Sequence, residues 1–159
     1  MAPICQRGGL NAGNTETPTK RPECPDGWVA YTGTNSLVKC FQYGGDTRYA
    51  TYAEEDCQAQ GGHLPSIHSI EEQNFPNQTF KPPSWVWIGA VDPDQNGAWE
   101  WTDGSTFDFS YWRSDQPDGY PIHQSPTSFT AMDFYTYNNG PWEDYPYDYY
   151  FDYICQLTL

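Results

Sequence analysis

The stretch ATYAEEDCQAQGGHLPSIHSIEEQNF, residues 50–75, predicts two short helices separated by a turn. A capping box, in which Ser or Thr is followed three residues later by Glu, marks the start of each helix: Thr51 with Glu54, and Ser69 with Glu72. Gly61 and Gly62 supply the left-handed backbone that ends the first helix. Because proline lacks the backbone N–H of a helix interior, we expect Pro76 to limit the second helix to about two turns.

Short patterned segments typical of strands lie on both sides of the predicted helices. They are WVAYTG at 28–33 and SLVKCFQY at 36–43, which read as a hairpin, then WVWIGAV at 85–91 and the closing strand, where Phe151, Tyr153 and Cys155 share one face. Residues 103–128 form a long segment without helical or strand periodicity, and a loop of this length in a compact domain is usually functional. The sequence therefore predicts an α+β fold with two helices, short antiparallel sheets and one long loop.

The composition indicates one folded domain with an acidic surface. Aromatic residues make up 18% of the 159 residues, which is too much apolar surface for a disordered chain. We expect a flexible leader over 1–23 and one domain over 24–159. The net charge of −14 excludes sequence-independent binding to nucleic acid phosphates. No apolar run is long enough to span a membrane, and no signal peptide precedes the leader, so a secreted form must have lost one.

The five cysteines have no zinc-type spacing, and disulfides fit them better. Together with the N-glycosylation acceptor NQT at Asn77, they favour a secreted, extracellular glycoprotein. The alternative for Asn77 is an unmodified polar turn. Cys5, the odd thiol in the leader, either forms an interchain disulfide that links a dimer or stays unpaired.

An ordered series of motifs resembles the C-type lectin-like domain over residues 24–157. The series is CPDGWVAY, KCF, the helical stretch quoted above, VWIGAV, WEWTDGS, the tryptophan at 112, QPDG, PWED and YICQ. The resemblance implies a double-loop fold, in which the terminal strands pair at the base, two helices flank them, and the long loop carries calcium and ligand.

The resemblance also implies a set of disulfides, one of which this chain lacks. The implied pairs are Cys57–Cys155 and, in the N-terminal hairpin of the long form, Cys24–Cys40. Family members usually carry a second long-loop disulfide, and its two positions are Phe129 and Tyr147 here. We expect an aromatic contact between these two rings to replace the bridge.

Four oxygen-bearing side chains resemble the calcium site to which the family's sugars bind. QPDG supplies Gln116 and Asp118, on either side of a proline that is typically cis in the family. WED at 142–144 supplies Glu143 and Asp144, where the family usually has Asn-Asp. Ca²⁺ takes six to eight oxygen ligands, which carboxylates and amides provide. The resemblance therefore implies one bound Ca²⁺, whose coordination sphere sugar hydroxyls complete.

The Gln-Pro-Asp order resembles the galactose-binding subset of the family. Tyr120 and His123 stand at the spacings where that subset places a ring that stacks on the sugar and a histidine. Thr127 and Ser128 stand where a glutamate ligand normally lies, so one calcium ligand is missing. The structural interpretation of His123 is an exposed loop histidine.

Two other groups of polar residues are interpreted structurally. His63 and His68 are assigned to packing or surface rather than to a metal. Asp92, Asp94, Asn96 and the acidic residues around 100–108 are interpreted as a solvated turn, with an accessory calcium site as the alternative.

Two functions remain open after these observations. The first is a secreted, calcium-dependent lectin for glycans that end in galactose or N-acetylgalactosamine. The second is a diverged domain that binds a protein partner through its tyrosine-rich loop surface, since tyrosine is enriched where rigid contact area is needed. An enzyme is not expected, because the sequence offers no nucleophile with an adjacent base.

Overall fold

The computed structural model describes residues 20–34, 36–119 and 127–159. The elements in chain order are β1 (Val29–Thr32), β2 (Val38–Arg48), α1 (Ala50–Ala59), α2 (Ile70–Thr79), β3 (Trp85–Asp92), β4 (Glu100–Trp101), β5 (Ser128–Asp133), β6 (Trp142–Pro146) and β7 (Phe151–Thr158). The predicted α+β architecture with two helices is confirmed, and the predicted hairpin is β1 with β2, paired antiparallel.

The last strand occupies the middle of the sheet. The order is β1-β2-β7-β3-β5-β6, with β4 paired to β3. Strand β7 runs antiparallel to β2 and parallel to β3, where Trp87 lies opposite Tyr153. A central strand is covered on both faces, which explains why β7 is buried at five consecutive positions, from Asp152 to Gln156. The two ends of the domain are therefore joined at its base.

Two hydrophobic clusters divide the core between the sheet faces. The first is built on Trp142 and Ile154, both fully buried. The second contains Trp87 and Cys57, and Ala50 and Ala53 of α1 pack into it. The spacing of these α1 residues places them on one helix face, so burial of that face holds α1 against the sheet.

Helix α1 starts without the predicted capping box. Its N-cap is Tyr49, and no side chain caps it, so the expectation for Thr51 was wrong. The reason lies in Glu54, which is 8% exposed and accepts hydrogen bonds from the N–H of Leu64 at 2.9 Å and the Thr102 hydroxyl at 3.0 Å. Because tertiary donors take this carboxylate, it is not available to the helix start.

Helix α2 has the predicted cap but not the predicted length. The Ser69 hydroxyl accepts from the N–H of Glu72 at 3.2 Å. The helix continues through Pro76 to Thr79, so the expectation that Pro76 limits it was wrong. The N–H of Phe80 still donates to the Pro76 carbonyl at 2.8 Å, and the Phe80 ring packs on Phe75. This packing supports the last turn despite the bond that proline omits.

Two disulfides and a buried ion pair fasten the base. The bridges are Cys24–Cys40, which spans 16 residues, and Cys57–Cys155, which spans 98. Lys39 is 2% exposed and its ammonium donates to Glu72 at 3.0 Å and to the Ser66 carbonyl at 2.8 Å. Each buried charge of this pair has its partner within the chain.

A different ring from the expected one faces Phe129. Phe129 lies opposite Tyr145 in the β5–β6 register, whereas Tyr147 is 39% exposed. The one-residue alternation of a strand gives the reason, since β6 ends at Pro146 and its inward side chain near Phe129 is Tyr145. Tyr145 also packs on Trp87 and Phe151, so the aromatic cluster extends beyond the two positions of the missing bridge.

Candidate calcium site and ligand cleft

Three of the four predicted calcium ligands lie together. The N–H of Asp118 donates to Oδ1 of Asp144 at 3.0 Å, and the N–H of Asp144 lies 3.3 Å from Oε1 of Gln116. The Gln116–Pro117 bond is cis, as the resemblance implies. We call Gln116, Asp118 and Asp144 the loop site. It joins the long loop to strand β6.

Asp144 is the buried member of the loop site. Asp144 is 2% exposed, and its Oδ2 atom is buried without a hydrogen-bond partner. Burial raises the pKa of Asp144, and the charge of Asp118 raises it further, although N–H donors of Asp118 and Gly119 oppose the shift. An unpartnered, buried carboxylate oxygen is costly, so the loop site favours a cation beside Asp144.

Asp133 also has a buried oxygen without a partner, but its surroundings differ. Its other oxygen accepts from the N–H of Thr136 at 2.8 Å, and it lies beside Glu143, whose own carboxylate is paired with Arg113. The anion beside Asp133 therefore has a cation of the chain as its partner, whereas Asp118, the anion beside Asp144, has none among the contacts of the described residues.

Glu143 is turned away from the other three ligands. Its Oε1 accepts from Nη1 of Arg113 at 2.5 Å, and its Oε2 accepts from the Tyr145 hydroxyl at 2.8 Å. The neighbouring Asp144 instead accepts from the N–H of Asp118, so the two consecutive carboxylates of β6 have different partners. Burial raises the pKa of Glu143, while Tyr145 and Arg113 oppose this shift. Both carboxylate oxygens are already engaged.

A cleft of about 450 Å³ opens beside the loop site. Asp118 and Asp144 line it on one side, and Trp99 lines it on another. The Trp99 ring packs on Trp112 at 4.7 Å, and Trp112 packs on the buried Trp142 at 5.6 Å. Trp99 was not among the residues that the sequence predicted for the site. Its place two residues after the DPDQNG turn was the one signal of a loop position.

The remaining predicted site residues divide by location. Thr127 donates to the Pro93 carbonyl at 3.5 Å, and Ser128 lines the cleft, so neither supplies the missing carboxylate. Asn77 lies half-buried in α2. Tyr120, His123 and Cys5 lie outside the described residues.

The other polar groups have structural partners. The Asp92 carboxylate accepts from the N–H groups of Asn96 and Gly97 at 3.1 and 2.8 Å, so it holds the turn, but at 5% exposure it is buried rather than solvated as expected. His63 contacts Glu54 at 2.6 Å, and His68 contacts Asp108 at 2.6 Å.

Ser105, His68 and Asp108 form a chain that superficially resembles a hydrolase triad. Ser105 Oγ lies 3.0 Å from Nε2 of His68. However, the Ser105 hydroxyl donates its one proton to Asp103 at 2.5 Å, so the His68 contact must be an N–H donated to Ser105. An imidazole that donates to the hydroxyl cannot act as its base.

The loop site fits a calcium ion with fewer charged ligands than the sequence predicted. Its two carboxylates and one amide are the hard oxygen donors that Ca²⁺ prefers, and the unpartnered oxygen of Asp144 faces no positive side chain among the contacts described for it. No group of three or more His, Cys, Asp or Glu side chains occurs within residues 20–34, 36–119 and 127–159 at metal-binding distances. Since calcium affinity follows ligand charge and rigidity, two carboxylates predict weak binding.

Among the described residues, no helix has the length and apolar character that crossing a membrane requires.

The chain is similar in sequence to known proteins. The chain is 35% identical to versican core protein of Bos taurus over 130 residues, covering 82% of this chain and 4% of versican. It is 31% identical to asialoglycoprotein receptor 1 of Mus musculus over 157 residues, covering 98% of this chain and 50% of the receptor. The chain thus spans half or less of these relatives.

Solved structures show the same fold. A calcium-independent type II antifreeze protein matches with a TM-score of 0.73 and 30% identity, over 86% of this chain and 96% of that one. Human lithostathine matches with a TM-score of 0.74 and 26% identity, over 93% and 99%.

The sequence model of the lectin C-type domain matches residues 46–157, which is more than half of the chain. That family is one of carbohydrate-binding domains rather than enzymes. The chain belongs to the C-type lectin domain family.

Proposed function

We propose that this domain is an extracellular lectin that binds terminal galactose or N-acetylgalactosamine through calcium at the loop site. The observation that carries the proposal is the buried, unpartnered Oδ2 of Asp144, with Asp118 beside it and an open cleft next to both. A buried carboxylate without a partner destabilises the folded domain, and a bound cation would remove that cost.

Each residue of the loop site has a distinct role in this proposal. Calcium, when bound, supplies a Lewis-acidic centre that accepts sugar hydroxyl oxygens. Asp144 and Asp118 provide the negative charge, and Gln116 provides a neutral oxygen. Glu143 is not a ligand, because Arg113 and Tyr145 engage both of its oxygens.

Trp99 is a candidate platform for the sugar. Its ring lines the cleft and is braced by Trp112. Galactose has an apolar face that packs on aromatic rings, and stacking fixes orientation where coordination alone permits several. Tyr120 and His123 stay predicted contacts on the basis of the sequence.

The specificity part of the proposal has two supports. The Gln-Pro-Asp order resembles the galactose subset, and one relative is named as a receptor for asialoglycoproteins. The extracellular part is supported by the two disulfides, which persist in oxidising compartments. Calcium dependence must be measured, since a similar structure is described as calcium-independent and another as Ca²⁺-dependent.

Affinity chromatography tests the proposal. We expect galactose resin to retain the protein in calcium, and chelator or free galactose, but not free mannose, to release it. Asp118→Asn removes one negative charge from the loop site. Asp94→Asn, on the exposed turn, changes the net charge by the same amount and is the matched control. Retention by D94N and loss by D118N support the proposal; retention that persists in chelator contradicts it.

A further inference from the structure

A second surface is made of exposed aromatic rings that the loop site does not use. We call it the tyrosine surface and define it as Tyr49, Tyr52, Tyr135, Tyr149 and Tyr150. Tyr52, Tyr135 and Tyr150 are 55%, 71% and 57% exposed. Large rings that stay this accessible mark interaction sites when they are contiguous.

The rings of the tyrosine surface form two groups of ring contacts, which meet at the consecutive residues Tyr149 and Tyr150. Tyr49 lies 4.0 Å from Tyr150 and 5.9 Å from Tyr52, measured between centroids. Trp85 stacks on Tyr135 at 4.9 Å and on Phe151 at 5.7 Å, and Phe151 in turn contacts Tyr149. The half-buried Trp85 and Phe151 thus hold Tyr135 and Tyr149 in place before any partner arrives, and the half-buried Tyr49 does the same for Tyr52 and Tyr150.

The tyrosine surface and the ligand cleft lie at opposite ends of the sheet. Trp85 begins β3 and Asp92 ends it. Seven residue steps along a strand span about 23 Å. Asp92 lines the cleft, whereas Trp85 supports Tyr135. The two surfaces can therefore be occupied independently.

Carboxylates are placed among these rings. The Asp46 and Asp56 side chains are 77% and 49% exposed, and Asp148 is exposed next to Tyr149. The pKa of Tyr49 is raised, first by its hydrogen bond to Tyr150, and also by the charge of Asp148, which locates that carboxylate close to the rings. The surface is both aromatic and acidic.

One guanidinium of the chain, that of Arg48, already binds two of these carboxylates. Arg48 contacts Asp46 at 3.3 Å and Asp56 at 3.9 Å. Its neighbour Tyr49 belongs to the ring cluster. The carboxylates thus accept an arginine head at the edge of the tyrosine surface, and cations are attracted to tyrosine faces.

We propose that the tyrosine surface docks a basic protein segment, whose arginine and lysine heads lie over the tyrosine faces and pair with Asp148 and with the exposed carboxylates of Asp46 and Asp56, which Arg48 contacts through Oδ2. Net charge selects this occupant. A chain of net charge −14 repels nucleic acid and anionic lipid, and it repels a second copy of itself. A segment that carries positive charge on flexible stems is complementary to both the rings and the carboxylates.

The probe is a fluorescein-labelled arginine-rich peptide, measured by anisotropy with chelator present, so that the loop site does not contribute. We expect Tyr52→Ala and Tyr150→Ala each to weaken binding about 2–5-fold, and the pair about tenfold or more. Tyr137→Ala is the matched control: Tyr137 is 40% exposed but outside the tyrosine surface. It is expected to leave affinity unchanged.

The ring variants leave the net charge unchanged, and this separates the proposal from general attraction between opposite charges. Equal binding by wild type, Y52A and Y150A, or equal losses with Y137A, overturns the proposal. Sedimentation that shows wild-type dimers and monomeric Y52A also overturns it, because the occupant is then a second copy. Failure of either kind leaves galactose retention untouched, so the lectin proposal is tested separately.

Discussion

Glu72 at the base and Asp144 at the loop site are both buried carboxylates, but their surroundings differ. Glu72 is 8% exposed and receives the ammonium of Lys39 at 3.0 Å. Asp144 is 2% exposed, keeps one oxygen without a partner, and faces Asp118. The base neutralises its charge within the chain, whereas the loop site leaves charge for a ligand. Lys39 lies in β2 and Asp144 in β6, near opposite edges of the sheet, so the neutralised and the unpartnered carboxylate are well separated.

Removing the Cys57–Cys155 bridge has the largest expected effect on the base. It closes a span of 98 residues, and alanine at both positions is expected to lower the free energy of unfolding by about 4–5 kcal/mol. The loss should be the same in calcium and in chelator, because the bridge does not touch the loop site. Urea unfolding under both conditions measures it.

The Cys24–Cys40 bridge is the internal control for this experiment. Its span of 16 residues predicts a smaller loss of about 3 kcal/mol. Removing the short bridge could lower the free energy of unfolding as much as removing the long one, or the loss from the long bridge could depend on calcium. Either result contradicts the separation of the base from the loop site.

The substitution Lys39→Met, which breaks the buried ion pair, has the next largest expected effect on stability. It leaves the Glu72 carboxylate buried without its cation, and we expect a loss of about 3–5 kcal/mol. Adding Glu72→Gln should recover part of the loss, since the uncompensated charge is then gone. Thermal unfolding of the single and double variants measures the coupling. A loss below about 1 kcal/mol in the single variant shows that the base does not depend on this pair.

The smallest effect concerns Asp103, a half-buried carboxylate that has donors. Burial acts to raise its pKa, but hydrogen bonds from Ser105 and Ser66 outweigh burial, and the pKa is lowered overall. A lowered folded pKa means that this stabilisation is present above the unfolded value near 4 and is lost as pH falls through the folded value. The shift is opposite to that of Asp144, which lacks such donors on Oδ2.

Ser105→Ala tests this contrast. We expect the pKa of Asp103 to rise, and NMR titration of the carboxyl carbon measures it. Ser36→Ala, on an exposed turn, is the control that leaves Asp103 unchanged. An Asp103 pKa that stays the same in S105A shows that donors do not set these shifts.

Local signals in the sequence predicted much of the fold. The Ser69 cap, the hairpin and the alternation of β7 each depend on neighbouring residues, and the structure contains them. The helix-breaking expectation for Pro76 failed because Phe75 and Phe80 hold the last turn by tertiary packing. Propensity is a weak prior where packing opposes it.

The sequence predicted the site residues only where a single short motif contains them. Gln116 and Asp118 flank one proline, so their closeness is local. The partner of Glu143 is Arg113, 30 residues away, and no nearby pattern indicates that pair. Trp99 likewise reaches the cleft only because β3 and β4 bring its turn opposite the long loop. Contacts between distant segments are what the sequence leaves open.

Calcium titration of three proteins tests the central claim most directly. Wild type, Asp144→Asn and Glu143→Gln are followed by thermal shift, because a ligand that binds only the folded form raises its apparent stability. We predict a calcium-dependent rise for wild type and for E143Q, and none for D144N, which should also unfold at higher temperature than wild type in chelator. A calcium response that survives in D144N and disappears in E143Q contradicts the account.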